Sequence, residues 1–167
     1  PKQGYLQANT FYHPDMKFSF QIPKGWKMTN TPLQVTLGQP NGKATILLRT
    51  EKTAEPLNTY ANKIKKNLSN PHTIQEGFRT INGMNSFFSL LKSEENDPDN
   101  QSVKAHNILV SCIRKDEMIF SFISLTSTKD YQAFRSDITN TINSFTPLSR
   151  TNNLKIHPLR LSIKRIK

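Results

Sequence analysis

The chain has 167 residues, of which 35% are hydrophobic, and it carries a net charge of +11 at neutral pH. This length predicts one domain that buries roughly 70% of its extended surface, and no apolar run approaches the roughly 20 residues of a membrane-spanning helix. The only cysteine, Cys112, excludes an intramolecular disulfide and supplies too few thiolates for a structural zinc site. The sequence begins at Pro1 without a charged and then apolar leader, so we expect a piece of a longer protein.

The first fifty residues predict strands, because apolar and polar residues alternate between corners that contain Pro or Gly. Four strands are expected before the first helix, at residues 10–13, 17–23, 33–37 and 44–50. Leu33, Val35 and Leu37 alternate and are predicted to share one face of their strand. Trp26 follows a corner at Gly25, and we expect its ring to pack back on the core.

Two amphipathic helices are predicted from apolar residues that recur at helical spacing. The first ends before Asn70 and Pro71, and the second begins near Thr128 or Asp130 and ends at Pro147. The apolar stripe of the first helix is Leu57, Tyr60, Ala61, Ile64 and Leu68. That of the second is Tyr131, Phe134, Ile138, Ile142 and Phe145.

Strands are also predicted between the two helices, at residues 73–81, 84–93, 103–115 and 118–127. The first pair turns at Asn82 and Gly83, and the second pair turns at Asp116 and Glu117. The second pair is apolar on both faces, which predicts central strands that bury Cys112. Tight hairpins imply antiparallel pairing, so the simplest arrangement is one antiparallel sheet with helices packed on it, a single α+β domain over residues 1–149.

Residues 150–167 form a basic segment, since they hold six of the 23 basic residues and none of the 12 acidic ones. Leu159, Leu161 and Ile163 alternate, so this segment is predicted to be extended and docked, as an edge strand or an ordered tail. An acidic protein patch or an anionic membrane surface would be attracted to it. Nucleic acid is not a predicted partner, because the segment has no aromatic residue for base stacking. The candidate contacts for an anionic partner are Arg150, Lys155, Arg160, Lys164 and Arg165.

No motif for catalysis, metal binding or cofactor binding occurs in the chain. The glycines fall singly at turns, so no phosphate-binding loop is predicted. The acidic loop at residues 94–101 lacks the spacing of an EF-hand. No two histidines lie four residues apart, so a helical zinc site is unsupported; they are His13, His72, His106 and His157. We therefore expect no catalytic residue, metal ligand or cofactor in this chain.

The stretch from Phe11 to Val35 resembles the start of the C-terminal domain of bacterial TPR-type HExxH zinc metalloproteases of the cell envelope. The family pattern is roughly F-x-HP-[ED]-x-x-F-x-F-x-x-P-x-G-[WF], followed by N-x-P-x-x-V. It is matched here by Phe11, His13, Pro14, Asp15, Phe18, Phe20, Pro23, Gly25, Trp26, Asn30, Pro32 and Val35. The turn "TINGM" at residues 80–84 is also similar to a family turn. The end of the chain resembles the family's closing segment through Ser144, Phe145, Leu148, Pro158, Arg160, Leu161 and Ile163.

The resemblance implies a PsbP/Mog-like α-β-α sandwich, an antiparallel sheet flanked by helices, in the periplasm or cell envelope. It also implies a protease domain upstream that holds the zinc, because this chain contains no HExxH. The basic character of residues 150–167 departs from the family pattern.

Three hypotheses about function follow. The first is a non-catalytic accessory domain of a zinc metalloprotease that binds its own protease domain, a substrate or an envelope partner. The second is a free-standing PsbP/Mog-like protein-binding module. The third is a small hydrolase, which turnover by the purified chain would have to support.

Overall fold

A computed structural model describes residues 4–149 of the chain. Six strands precede the first helix: β1 (Tyr5–Gln7), β2 (Thr10–His13), β3 (Phe18–Gln21), β4 (Lys27–Asn30), β5 (Val35–Gly38) and β6 (Ala44–Lys52). Helix α1 (Leu57–Lys65) is followed by β7 (His72–Ile81), β8 (Met84–Asn96), β9 (Val103–Lys115) and β10 (Met118–Ser127). A short 3₁₀ turn then leads to α2 (Tyr131–Asn143) and β11 (Thr146–Pro147).

The strands form two antiparallel sheets rather than the single sheet that the sequence predicted. The large sheet has the order β4-β5-β6-β10-β9-β8-β7, and the small sheet has the order β1-β2-β3-β11. The chain leaves the small sheet at Gly25, whose φ of 84° turns it away from β3. The hairpin of β2 and β3 therefore packs on the large sheet instead of extending it. The α+β class with an antiparallel sheet and flanking helices is confirmed.

The core on one face of the large sheet is built from aromatic rings. Phe18 of the small sheet lies 5.2 Å from Phe145, and Phe20 lies 5.5 Å from Phe122 of β10, measured between ring centroids. Ile138 of α2 is fully buried in the same cluster. The small sheet and α2 together cover this face.

Trp26 belongs to this core, as predicted. Only 7% of the residue is exposed, and its ring meets the edge of Phe134 of α2 at a centroid distance of 6.3 Å. The corner that precedes it therefore places the indole between the small sheet and α2.

Helix α1 covers part of the opposite face, where Leu57 and Ala61 pack in a second buried cluster with Cys112. Cys112 is fully buried, as predicted, and burial raises the pKa of its thiol to about 11. It is therefore a protonated packing residue at neutral pH. The helix ends before Leu68, earlier than predicted, because its last turn tightens into i→i+3 hydrogen bonds that lead to Asn70, with φ of 44°. Within residues 4–149, neither helix is long and apolar enough to cross a bilayer.

Candidate functional site

The five basic residues predicted to contact an anionic partner, Arg150, Lys155, Arg160, Lys164 and Arg165, lie outside the described residues. Metal-ligating side chains do not gather into clusters in the part of the chain that is described: no group of three or more His, Cys, Asp or Glu could hold a metal ion there.

His13 stabilises a turn. Its Nδ1 atom accepts a hydrogen bond from the backbone N–H of Met16 at 3.1 Å, and its carbonyl accepts one from the N–H of Lys17 at 2.7 Å. Its ring stacks on Phe18 with a centroid distance of 5.3 Å. Burial lowers the pKa of His13, which favours the neutral ring that this hydrogen bond requires.

Lys115 fixes the same turn from the large sheet. Its side chain is almost fully buried, and its Nζ atom donates hydrogen bonds to the carbonyl of Met16 at 2.7 Å and to Asp116 Oδ2 at 2.9 Å. A buried ammonium group needs such partners. The "HPDMK" turn at residues 13–17 is thus held by hydrogen bonds with His13 within the turn and with Lys115 of the large sheet.

The loop between β4 and β5 is also held by hydrogen bonds. The Oγ1 atom of Thr31 accepts hydrogen bonds from the N–H groups of Leu33 at 3.3 Å and Gln34 at 3.2 Å, and the Thr31 N–H donates to the Gln34 carbonyl at 3.0 Å. This tight turn leaves Leu33 86% exposed. The prediction that Leu33 shares a strand face with Val35 was wrong. The hydrogen bonds to the Thr31 side chain place Leu33 in a turn, and β5 begins only after that turn.

The two turns border a pocket of about 530 Å³, which we call the N-terminal pocket. Its apolar lining consists of Met16, Phe18, Pro32, Leu33, Val35 and Leu48. Six residues that carry the family resemblance line it: His13, Asp15, Phe18, Asn30, Pro32 and Val35. Half of the twelve residues of the opening motif therefore line one pocket.

The N-terminal pocket has a largely apolar surface. The Nδ1 lone pair of His13 is already occupied by the N–H of Met16, so this atom is not available as a base. Burying an exposed Leu side chain would stabilise the protein or a complex by about 1.5–3 kcal/mol. A pocket with an ordered, apolar rim residue is suited to an apolar side chain of another protein segment.

The "TINGM" turn joins two distant parts of the fold. Asn82, with φ of 48°, donates hydrogen bonds through Nδ2 to the carbonyls of Asn143 at 2.9 Å and Phe145 at 2.7 Å. These carbonyls belong to the end of α2 and the segment after it, which would otherwise lack partners. This second resemblance motif is therefore structural.

No known family profile matches this chain, and no curated protein does. Solved structures do match. The cyanobacterial PsbP protein CyanoP of Synechocystis is 10% identical, with a TM-score of 0.66 over 86% of this chain and 98% of its own. The Ran-binding protein Mog1p of Saccharomyces cerevisiae is 11% identical, with a TM-score of 0.59 over 89% of this chain and 99% of its own.

A third similar structure is LpqN of Mycobacterium tuberculosis, a protein involved in cell envelope biogenesis. It is 10% identical, with a TM-score of 0.55 over 79% of this chain and 83% of its own. At these identities the likeness shows the fold alone. The chain has the PsbP/Mog1-like fold, which confirms the architecture that the resemblance implied.

Proposed function

We propose that this chain is a non-catalytic protein-binding domain, and that it is the accessory C-terminal domain of a zinc metalloprotease of the cell envelope. The observation that carries the proposal is the N-terminal pocket, in which six of the twelve lining residues belong to the opening motif. Leu33, held outward by the Thr31 turn, is the residue that a partner would cover. The partner is the protease domain itself, a substrate or another envelope protein.

Two sources support different parts of this proposal. The similar structures support a binding role in general, because one of them is named as a Ran-binding protein. The protease context and the envelope location rest on the family resemblance. The similarity to LpqN, a protein involved in cell envelope biogenesis, also supports an envelope location. The zinc and the catalytic residues would belong to the upstream domain. The alternative is a free-standing module of the same fold that binds proteins without a protease.

The reading frame upstream of Pro1 separates these two proposals. An HExxH motif on a helix upstream supports the accessory domain. A reading frame that encodes only a leader before Pro1 would contradict the accessory domain and favour the free-standing module. The purified chain should show no peptidase or esterase turnover, and measurable turnover abolished by a single substitution would contradict the non-catalytic role.

A further inference from the structure

Strand β7 forms one edge of the large sheet. It is ten residues long, and β8 is its only partner strand among residues 4–149. Every residue of β7 except Gly77 and Ile81 is exposed. A long exposed edge presents unpaired backbone N–H and C=O groups and is a template for another strand. A register irregularity between Thr73 and Gln75 limits the regular ladder to the part of the strand that follows it.

Strand β7 carries two large exposed apolar side chains. Phe78 is 68% exposed, and its ring meets the edge of Phe87 with a centroid distance of 4.9 Å. Ile74, at the irregularity, is 55% exposed. Large apolar residues on an edge strand favour pairing with another chain. After the irregularity, residues 75–81 of β7 contain no Lys, Pro or further bulge that would protect the edge.

Strand β7 also borders a groove of about 790 Å³ between the sheet and α2, which we call the β7–α2 groove. Arg79 of β7 lies over the ring of Phe88, with 5.0 Å between the guanidinium carbon and the ring centroid. Arg135 reaches the same groove from α2, and the rest of its lining, which includes Ile74 and an edge of Phe78, is apolar or uncharged. Neither arginine forms a salt bridge with another residue in the range 4–149.

We propose that β7 binds an extended peptide segment of another protein as an additional strand, and that this segment alternates acidic with β-branched apolar residues. Side chains of the added strand alternate between the two faces of the sheet. Those on the groove side would place carboxylates beside Arg79 and Arg135, which offer planar guanidinium groups for paired hydrogen bonds. Those on the opposite side would pack on Phe78. The proposal names a ligand class for the binding role proposed above, at a surface separate from the N-terminal pocket.

The test uses the whole chain and a labelled short peptide that alternates Val with Asp or Glu, with acetylated and amidated ends. We expect binding that weakens as salt is raised, because both arginines are exposed. Arg79→Glu and Arg135→Glu should each weaken binding by about tenfold or more. Lys27→Glu makes the same change of charge on β4, at the opposite edge of the sheet, and should leave the affinity unchanged. Equal losses in all three variants, or equal binding of a peptide with Lys in place of the acids, would overturn the proposal.

Amide hydrogen exchange distinguishes strand addition from attachment by side chains alone. Bound peptide should slow exchange at amides between Gln75 and Thr80, because outward N–H groups of β7 become hydrogen-bonded. Unchanged exchange in β7 at saturating peptide would overturn strand addition. A dimer without peptide that Phe78→Lys dissociates would assign this edge to a second copy of the chain and would also overturn the proposal. None of these results depends on Leu33, so failure of this proposal would leave the docking role of the N-terminal pocket unaffected.

Discussion

The side-chain amide of Asn82 donates a hydrogen bond to the backbone carbonyl of Phe145 over 2.7 Å, although the two residues are 63 positions apart in the chain. The same amide also reaches the carbonyl of Asn143. A hairpin turn of the large sheet thus satisfies the carbonyls at the end of α2. The helix is fixed to the sheet at the point where β11 begins.

Replacing Asn82 by Gly should lower the free energy of unfolding by about 1–2 kcal/mol, because the backbone keeps its positive φ while two carbonyls lose their donor. Asn82→Asp should cost more, since a carboxylate would face those carbonyls at the negative end of a helix. Chemical denaturation measures both. Gln101→Gly is the matched control: Gln101 also has a positive φ, of 55°, and its replacement should be neutral or slightly stabilising. Equal effects at residues 82 and 101 would contradict the capping role.

Features set by local patterns were predictable from the sequence. The presence of both helices, the turn at Asn82 and Gly83 and the turn at Asp116 and Glu117 are confirmed, because helical spacing and turn residues act over a few positions. The predicted end of the second helix at Pro147 was wrong: α2 ends at Asn143, and Phe145 lies beyond it because Thr146 and Pro147 pair with β3. The burial of Trp26 followed in the same way, from an aromatic residue placed directly after a Gly corner.

Features set by distant contacts were not predictable. Strand β4 was missed because it is short and its residues are exposed or half-buried, so it shows no apolar alternation. The small sheet depends on packing of β2 and β3 against α2, which no local pattern encodes. The candidate site was missed for a similar reason: the Oγ1 atom of Thr31 determines the exposure of Leu33, and alternation alone placed Leu33 on a strand face.

The free energy of unfolding of the domain should decrease as the pH is lowered, because His13 titrates. Burial lowers the pKa of His13 in the folded state below its ordinary value of 6.5, so the unfolded chain binds the proton more readily. The contribution of this group is therefore complete above about pH 6.5 and is lost as the pH falls from there toward the folded pKa. His13→Asn keeps a side-chain acceptor for the N–H of Met16 but cannot titrate. Thermal midpoints at pH 7.5 and pH 5 should differ less in this variant than in the native chain, and an identical difference would refute the assignment.

The purified chain should bind no stoichiometric zinc and hydrolyse no casein. Residues 4–149 contain no cluster of metal-ligating side chains, and the Nδ1 atom of His13 already accepts a hydrogen bond. Elemental analysis after dialysis measures the metal, and a casein assay measures hydrolysis. One zinc per chain that is lost in His13→Ala would overturn this expectation.

The basic segment should bind anionic vesicles in a salt-dependent manner. Each basic residue near an anionic membrane contributes on the order of 1 kcal/mol, and this attraction falls off within a Debye length of about 10 Å at moderate salt. Replacing Arg160, Lys164 and Arg165 together by Gln should therefore weaken vesicle binding by well over tenfold. Co-sedimentation at low and high salt measures the effect.

The matched control replaces three exposed lysines of the body, Lys24, Lys27 and Lys43, by Gln. This variant loses the same charge and should bind vesicles almost as the native chain does. Binding that is insensitive to salt, or equal in the two triple variants, would exclude an electrostatic role of residues 150–167.

The most direct test of the docking role is the affinity of this chain for the protease domain that we propose lies upstream of it, expressed separately and measured by titration calorimetry. Leu33→Asp should weaken that binding by at least about tenfold, because a carboxylate would enter an apolar contact, while an exposed side chain can be replaced with little effect on folding. Val103→Asp, at another exposed apolar residue at the start of β9, should bind like the native chain. Detectable binding that only Leu33→Asp weakens is the predicted result. Equal affinities of the two variants, or no binding by the native chain, would contradict the assignment of the N-terminal pocket as the surface that docks the protease domain.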